Sequence, residues 1–149
     1  MILMAKTKKK APRKAKEKVV VARGKRKRAI ARATVRAGKG RVSVNRFELT
    51  ALENPFFAAV VSEPLAFVSP EELAKLDISV TVEGGGTMGR AQACRTAIAK
   101  ALVEFTGDEA LRGRMMGWDR LLLVEDSRRV EPKKFKGPKA RARFTKSYR

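Results

Sequence analysis

A glycine-rich segment is the first place in this sequence where residue spacing could support chemistry. Residues 84–89 read GGGTMG, which matches G-x-G-x-x-G between a predicted strand and a predicted helix. A dinucleotide-binding fold needs an acidic residue about 20 positions later, but Glu125 and Asp126 follow only about forty positions on. No GK[ST] is present for a P-loop. The segment is therefore either a tight strand-to-helix turn or a helix N-terminus whose exposed N–H groups bind nucleic-acid phosphates.

The other candidate catalytic residues have simpler explanations. Cys94 lies on the apolar side of the predicted helix, and no histidine exists to activate it, so we predict a small buried core residue. Asp119, Glu125 and Asp126 could form an acid–base or metal pair, but each is more simply explained as a solvated turn carboxylate or a partner of Arg128 or Arg129. One cysteine and no histidine exclude a disulfide framework and a Cys/His metal cluster. We predict no enzyme, no cofactor and no small-molecule substrate.

The charge of the chain indicates a polyanionic partner. With 35 basic and 15 acidic side chains among 149 residues, the formal net charge is +20. Residues 1–28 carry a net +12 and residues 127–149 a net +9, whereas residues 29–126 carry −1. No apolar run approaches the roughly 20 residues of a membrane span, and the opening MILMAK lacks the pattern of a secretory signal. These patterns predict a cytoplasmic, nucleic-acid-binding domain with two cationic arms and no membrane association.

The C-terminal segment KKFKGPKARARFTKSYR favours RNA over duplex DNA. Its lysines and arginines are spaced by Phe135, Phe144 and Tyr148 and by Gly137 and Pro138. That mixture favours an extended backbone with phosphate contacts and with aromatic faces that stack on unpaired bases.

The elements that must position these residues follow from apolar periodicity. Alternation of Ala29, Ala31, Ala33 and Val35 predicts a strand that places Arg28, Arg32 and Arg36 with Ile30 and Thr34 on its other face, and AGKG predicts a hairpin into RVSVNRF. DISVTVEG predicts a strand and LLLV (121–124) a short apolar one. Before DISVTVEG, residues 48–75 have a helical pattern that prolines 55, 64 and 70 interrupt.

The strongest predicted helix spans residues 88–105, with an apolar stripe at three- and four-residue spacing that includes Ala91, Cys94 and Ile98. Gly107 ends it, and a short helix follows at 108–116. Together the elements predict a two-layer α+β sandwich. The domain boundaries are a basic arm at 1–18 that is disordered when free, a globular RNA-binding domain at 19–126 and an extended basic tail at 127–149.

The candidate RNA-binding residues are the glycines of the loop and the basic residues of both charged regions. They are Arg23, Lys25, Arg26, Lys27, Arg28, Arg32, Arg36, Gly84, Gly85, Gly86, Arg90, Arg128, Arg129, Lys133, Lys134, Lys136, Lys139, Arg141 and Arg143.

Three separated segments then identify a family. They are GKRKRAIARATVRAGKGRVSVN, DISVTVEGGGTMGRAQACRTAIAKAL and LLLVEDSRRVEPKKFKGPKARARFTKSYR. In this order they resemble the ribosomal small-subunit protein family S9, from about Val19 to Arg149, and the ending S-Y-R resembles its archaeal and eukaryotic branch. The resemblance implies a ribosomal S5 domain-two-like fold with a left-handed βαβ crossover. It also implies a structural ribonucleoprotein role in translation, in the head of the small ribosomal subunit.

The same resemblance implies binding to small-subunit rRNA, neighbouring head proteins and the anticodon stem-loop of the P-site tRNA. The tRNA contacts carried over are Lys146, Ser147, Tyr148 and Arg149. Arg90 and Thr145 depart from the glutamines common in the family, which puts those two contacts in doubt. The alternative function is a non-ribosomal RNA-processing subunit similar to the protein part of ribonuclease P, although it leaves the long tail ending SYR unexplained. A nucleotide-dependent enzyme would need measurable affinity for ATP or NAD.

Overall fold

The computed structural model describes residues 18–135 and 137–145. Its strands are β1 (Val19–Arg26), β2 (Ala29–Ala37), β3 (Val42–Val44), β4 (Phe47–Glu48) and β5 (Leu76–Glu83), joined in one sheet in the order β1-β2-β5-β3-β4. Its α-helices are α1 (Pro55–Ser62), α2 (Pro70–Leu73), α3 (Thr87–Thr106) and α4 (Glu109–Trp118). Short 3₁₀ helices occupy Leu49–Ala51, Glu63–Phe67 and Arg120–Leu122. The predicted α+β class is confirmed.

The sheet has one buried and one open face because apolar and polar side chains alternate along its strands, as predicted. In β2, Ala29, Ala31, Ala33 and Val35 are buried. On the other face Ile30, Arg32 and Arg36 are exposed and Thr34 is half-buried. In β5, buried Ile78, Val80 and Val82 continue the same rows across the sheet. The predicted strand at DISVTVEG is therefore confirmed, and the core lies on one side of the sheet.

Helix α3 covers that buried face. Its residues Ala91, Cys94, Ile98 and Leu102 are buried, as the predicted stripe requires, and Ala93, Ala97, Ala99 and Ala101 are buried too. Alanines at these positions let the helix backbone come close to β1. A Cβ added to Gly24 would lie 2.6 Å from the backbone nitrogen of Ala97 and would overlap the carbonyl oxygen of Ala93.

The helix ends also follow the sequence signals. Gly107 has a left-handed backbone (φ 69°) and its N–H donates to the Val103 carbonyl, so it ends α3 as predicted. Asp108 then caps α4 by accepting from the Ala110 N–H. In the part of the chain that the structure describes, no helix has both the length and the apolar character that crossing a membrane requires.

The predicted hairpin from the 29–36 strand into RVSVNRF is wrong. Strand β2 pairs antiparallel with β1 and β5, while β3 runs parallel to β5 and pairs antiparallel with β4. The AGKG loop does not turn back, because Gly38 N–H donates to the Lys75 carbonyl and the Asp77 carboxylate accepts from the N–H groups of Lys39 and Arg41. These bonds direct the chain past the start of β5 to its far side.

The predicted strand at LLLV is also wrong, since Arg120–Leu122 form a 3₁₀ helix. The carboxylate of Asp119 caps it by accepting from the Leu121 N–H at 2.8 Å. The Thr96 hydroxyl of α3 donates to the Leu121 carbonyl at 3.1 Å, and Leu122 is buried in the core. The apolar run therefore anchors a turn beneath α3 and adds no strand to the sheet.

Asp77 gives the first testable prediction. The N–H groups of Lys39 and Arg41 and the charge of Arg36 lower the pKa of Asp77 below 3.8. A lowered folded-state pKa contributes stability above the unfolded pKa, and that contribution is lost as the pH falls through the folded value. We expect Asp77→Asn to melt at a lower temperature than the parent at pH 7, with the difference shrinking below pH 4. A constant difference across pH would contradict a role for the charge.

Candidate nucleic-acid interface

The open face of the sheet carries the predicted arginines in cross-strand rows. Arg23 of β1 lies directly opposite Arg32 of β2, which lies opposite Thr81 of β5. Like charges placed directly opposite each other destabilise a sheet, so the fold itself gains nothing from this pair. Glu125, 3.7 Å from Arg23 Nε, partly balances the charge of Arg23, and both arginines stay exposed on a face that is open to an anionic ligand.

Neighbouring rows extend this surface. Arg36 lies opposite Asp77, with Nη2 3.7 Å from the carboxylate, and Lys25 lies in the row of Ile30 and Glu83. A shallow depression of about 290 Å³, lined by Arg28, Ile30, Arg32, Thr81, Glu83 and Gly84, joins the open face to the glycine loop. The open face and the loop thus form one continuous surface.

The glycine loop is shaped by a close backbone contact. Gly84 and Gly85 have φ values of 70° and 66°, which favour glycine. A Cβ on Gly84 would lie 2.7 Å from the Arg28 carbonyl oxygen, and one on Gly85 would lie 2.9 Å from the Ala29 Cβ. These two glycines therefore let the loop pack on the β1–β2 turn, which accounts for Gly84 and Gly85 without a dinucleotide.

A basic cleft of about 630 Å³ opens beside this loop at the N-terminus of the 20-residue helix α3. Gly86 is the N-cap, and within residues 18–135 and 137–145 no side chain caps the first-turn N–H groups. The cleft is lined by Lys27, Arg28, Gly85, Gly86, Arg129, Val130, Glu131, Pro132 and Lys133. A phosphate group fits this cleft, because it can accept hydrogen bonds from the uncapped N–H groups and is attracted by the helix dipole and by four cationic side chains.

Gly86 gives a prediction specific to this cleft. Its φ is −93° and an added Cβ meets no atom within 4 Å, so a side chain fits there. We expect Gly86→Asp to leave the stability within about 0.5 kcal/mol, because Asp is a good N-cap. It should weaken binding to small-subunit rRNA roughly tenfold by placing a negative charge at the helix N-terminus. Gly86→Asn, an equally good cap without charge, is the control. Equal weakening by both variants in a filter-binding assay would contradict the electrostatic explanation.

Arg90 borders the loop on its other side. Its Nε donates to the Gly84 carbonyl at 3.0 Å, and its side chain lines a groove next to β3 and α1. The arginine at this position therefore supports the loop from within the chain.

Five predicted RNA-binding arginines lie near carboxylates inside the protein. Arg23 and Arg36 lie 3.7 Å from Glu125 and Asp77, and three others make shorter pairs. Arg26 lies 2.6 Å from Asp126 and donates to Gln92 at 2.8 Å, with its side chain 14% exposed. Arg128 donates to both oxygens of Asp126, and these hydrogen bonds lower the pKa of Asp126 to about 2. Arg141 binds both oxygens of Glu131 at 2.9 and 2.6 Å. Their RNA contacts stay untested predictions, and these pairs would compete with them.

The described part of the tail keeps aromatic and cationic side chains at the surface. Phe135 and Phe144 are exposed, as are Lys134, Lys139 and Arg143. The Arg141–Glu131 pair and the Arg143 bond to the Phe135 carbonyl bring Arg141 and Arg143 back against Glu131 and Phe135. Lys136 and the four predicted tRNA contacts, Lys146, Ser147, Tyr148 and Arg149, lie outside the described residues.

The candidate catalytic residues all have structural roles. Cys94 is fully buried, and burial raises the pKa of its thiol to about 12. Glu125 lies 3.1 Å from Lys100 Nζ. Burial works to raise the pKa of Asp119, but hydrogen bonds from Leu121 N–H and Arg95 outweigh it and lower the pKa. Among the described residues, no group of three or more His, Cys, Asp or Glu side chains could hold a metal ion.

Comparison with known proteins decides the family. The family model described as "Ribosomal protein S9/S16" matches residues 24–149. The chain belongs to this family. It is also similar to the "Small ribosomal subunit protein uS9" of Methanothrix thermoacetophila, at 46% identity over 132 residues, which cover 89% of this chain and 99% of that relative. The S9 resemblance read from the three sequence segments is therefore confirmed, and the chain is a small-subunit ribosomal protein.

Arg46 is an exposed basic residue of this S9-family chain that was not singled out from the sequence. Arg46 is exposed at the tip of the two-residue turn between β3 and β4, where Asn45 and Arg46 both have positive φ values of 49° and 75°. Asn45 is held there because its side-chain amide bonds both the N–H and the carbonyl of Val82. The two-residue asparagine turn is a recognisable hairpin signal, but it was hidden by the wrong pairing of RVSVNRF.

Proposed function

We propose that this protein is a non-catalytic structural component of the small-subunit head, binding small-subunit rRNA through one continuous basic surface. The observation that carries the proposal is the convergence of the open sheet face and the cleft at the start of α3. Residues far apart in sequence, such as Arg28 and Arg129, line the same cleft. Phosphate contacts of this kind neutralise RNA charge and fix orientation without reading base sequence.

The tail extends this function to the P-site tRNA. In this proposal, residues 146–149 reach the anticodon stem-loop, where the guanidinium of Arg149 pairs with a phosphate. Residues 1–18 and 127–149 act as basic arms that neutralise rRNA during assembly in the cytoplasm. We also expect the connection from β3 through α1 to its parallel neighbour β5 to be left-handed, which is the exception to the usual rule.

Sedimentation of the tagged protein from a cell extract through a sucrose gradient, after a high-salt wash, tests the proposal. We expect the protein to co-migrate with small subunits. Removing residues 146–149 should leave this co-migration intact and weaken P-site tRNA binding to the purified subunits. A protein that stays at the top of the gradient, or travels with a smaller RNA, would overturn the proposal. Unchanged tRNA binding after truncation would overturn the tail contact alone.

A further inference from the structure

The segment from Phe47 to Ala74 has a charge opposite to that of the whole chain. It contains five glutamates and neither lysine nor arginine, in a protein of net charge +20. It forms β4, α1, α2 and the 3₁₀ helices between them. Glu48, Glu53, Glu71 and Glu72 are exposed, whereas Glu63 lies 2.7 Å from Arg95. Four exposed carboxylates in a segment that contains no lysine or arginine disfavour an RNA backbone, although Arg46 precedes the segment directly.

Two phenylalanines stand exposed on this acidic surface. Phe47 is 64% exposed on the edge strand β4, and Phe56 is 58% exposed in the first turn of α1. Exposed aromatic side chains are enriched at surfaces that another macromolecule covers.

A groove of about 390 Å³ lies beside Phe47. Its apolar lining includes Val44, Leu52 and Phe57, and its charged lining residues are Glu53 and Arg90, whose Nε donates to the Gly84 carbonyl. The groove is large enough for an aliphatic or aromatic side chain. A partner that fits must therefore offer an apolar anchor together with positive charge.

We propose that Phe47, Phe56 and this groove bind a lysine- and arginine-rich segment of a neighbouring protein, which inserts an apolar side chain into the groove. Charge complementarity selects this partner, because the exposed glutamates attract a basic polypeptide and disfavour rRNA. The inference rests on the proposed place in the small subunit. It divides the molecule into an RNA surface, formed by the open sheet face and the α3 cleft, and a protein surface around α1.

Photocrosslinking in purified small subunits tests this division. The photoreactive p-benzoylphenylalanine replaces Phe56 in one strain and Arg32, on the open sheet face, in another. We expect position 56 to crosslink to a protein peptide of net positive charge and position 32 to crosslink to rRNA. Glu48→Gln with Glu53→Gln should lower the yield at position 56 several-fold, whereas Glu109→Gln, an exposed glutamate on α4, should leave it unchanged.

The outcomes separate this inference from the function on which it rests. A crosslink from position 56 to rRNA or to an acidic peptide would overturn the proposed protein-binding surface. The same conclusion would follow if position 56 gave no crosslink while position 32 crosslinked to rRNA. The proposed function would stand in each of these cases. If position 32 crosslinked only to protein, the proposal that the open sheet face binds rRNA would be overturned instead.

Discussion

Replacing Gly24 with alanine is expected to destabilise the domain by about 3 kcal/mol, at the upper end of the range for overpacked sites. The added methyl group would press on the α3 backbone at Ala93 and Ala97, and a helix backbone yields less easily than a side chain. Helix α3 would have to move away from β1, which loosens the main contact of the core. The midpoint of urea unfolding, followed by circular dichroism, measures the change.

Gly113→Ala is the matched control for this prediction. Gly113 lies within α4, and a Cβ added there meets no atom within 4 Å. We expect this variant to be more stable than the parent by about 0.5–1 kcal/mol, because alanine favours a helix over glycine. If Gly24→Ala were as stable as the parent, the close packing of α3 on β1 would be wrong.

Neutralising the cationic lining of the α3 cleft is expected to have the largest effect on RNA binding. The variant combines Lys27→Gln, Arg28→Gln, Arg129→Gln and Lys133→Gln. Affinity for small-subunit rRNA should fall about a hundredfold, and the slope of log K against log salt should become less steep by about 3, as four lost phosphate contacts predict. Filter binding over a range of salt concentrations measures both quantities.

The control for this variant removes the same charge elsewhere. It combines Lys75→Gln, Arg112→Gln, Arg114→Gln and Arg120→Gln, none of which lines the cleft. We expect a weaker effect, because long-range attraction is screened within about 10 Å at 0.1 M salt. Equal losses in both variants would mean that total charge, and not the cleft, determines binding.

Local periodicity correctly predicted the elements in which no charged residue or glycine interrupts the apolar spacing. Strand β5 and helix α3 carry regular apolar spacing, and both were predicted within two residues of their observed ends. Strand β1 was missed because Arg23, Gly24 and Lys25 interrupt its apolar alternation. The parallel pairing of β3 with β5 was missed because it joins segments more than 30 residues apart, which no local pattern encodes.

The candidate interface was predictable in composition but not in detail. The glycine loop and the basic residues around it could be named from the sequence, since residue type and clustering identify them. The pairing of Arg26 with Asp126 could not, because it depends on two segments 100 residues apart meeting at the edge of β1. The acidic surface around Phe56 was equally hidden, because the near-zero net charge of residues 29–126 conceals a segment without any cation.

The salt dependence of rRNA binding by the full-length protein tests the central claim most directly. If the two basic regions and the α3 cleft together neutralise about ten phosphates, log K should fall with log salt at a slope of roughly −7 to −9. A slope near −2 would contradict the account, because it would leave most of the basic surface without a phosphate partner.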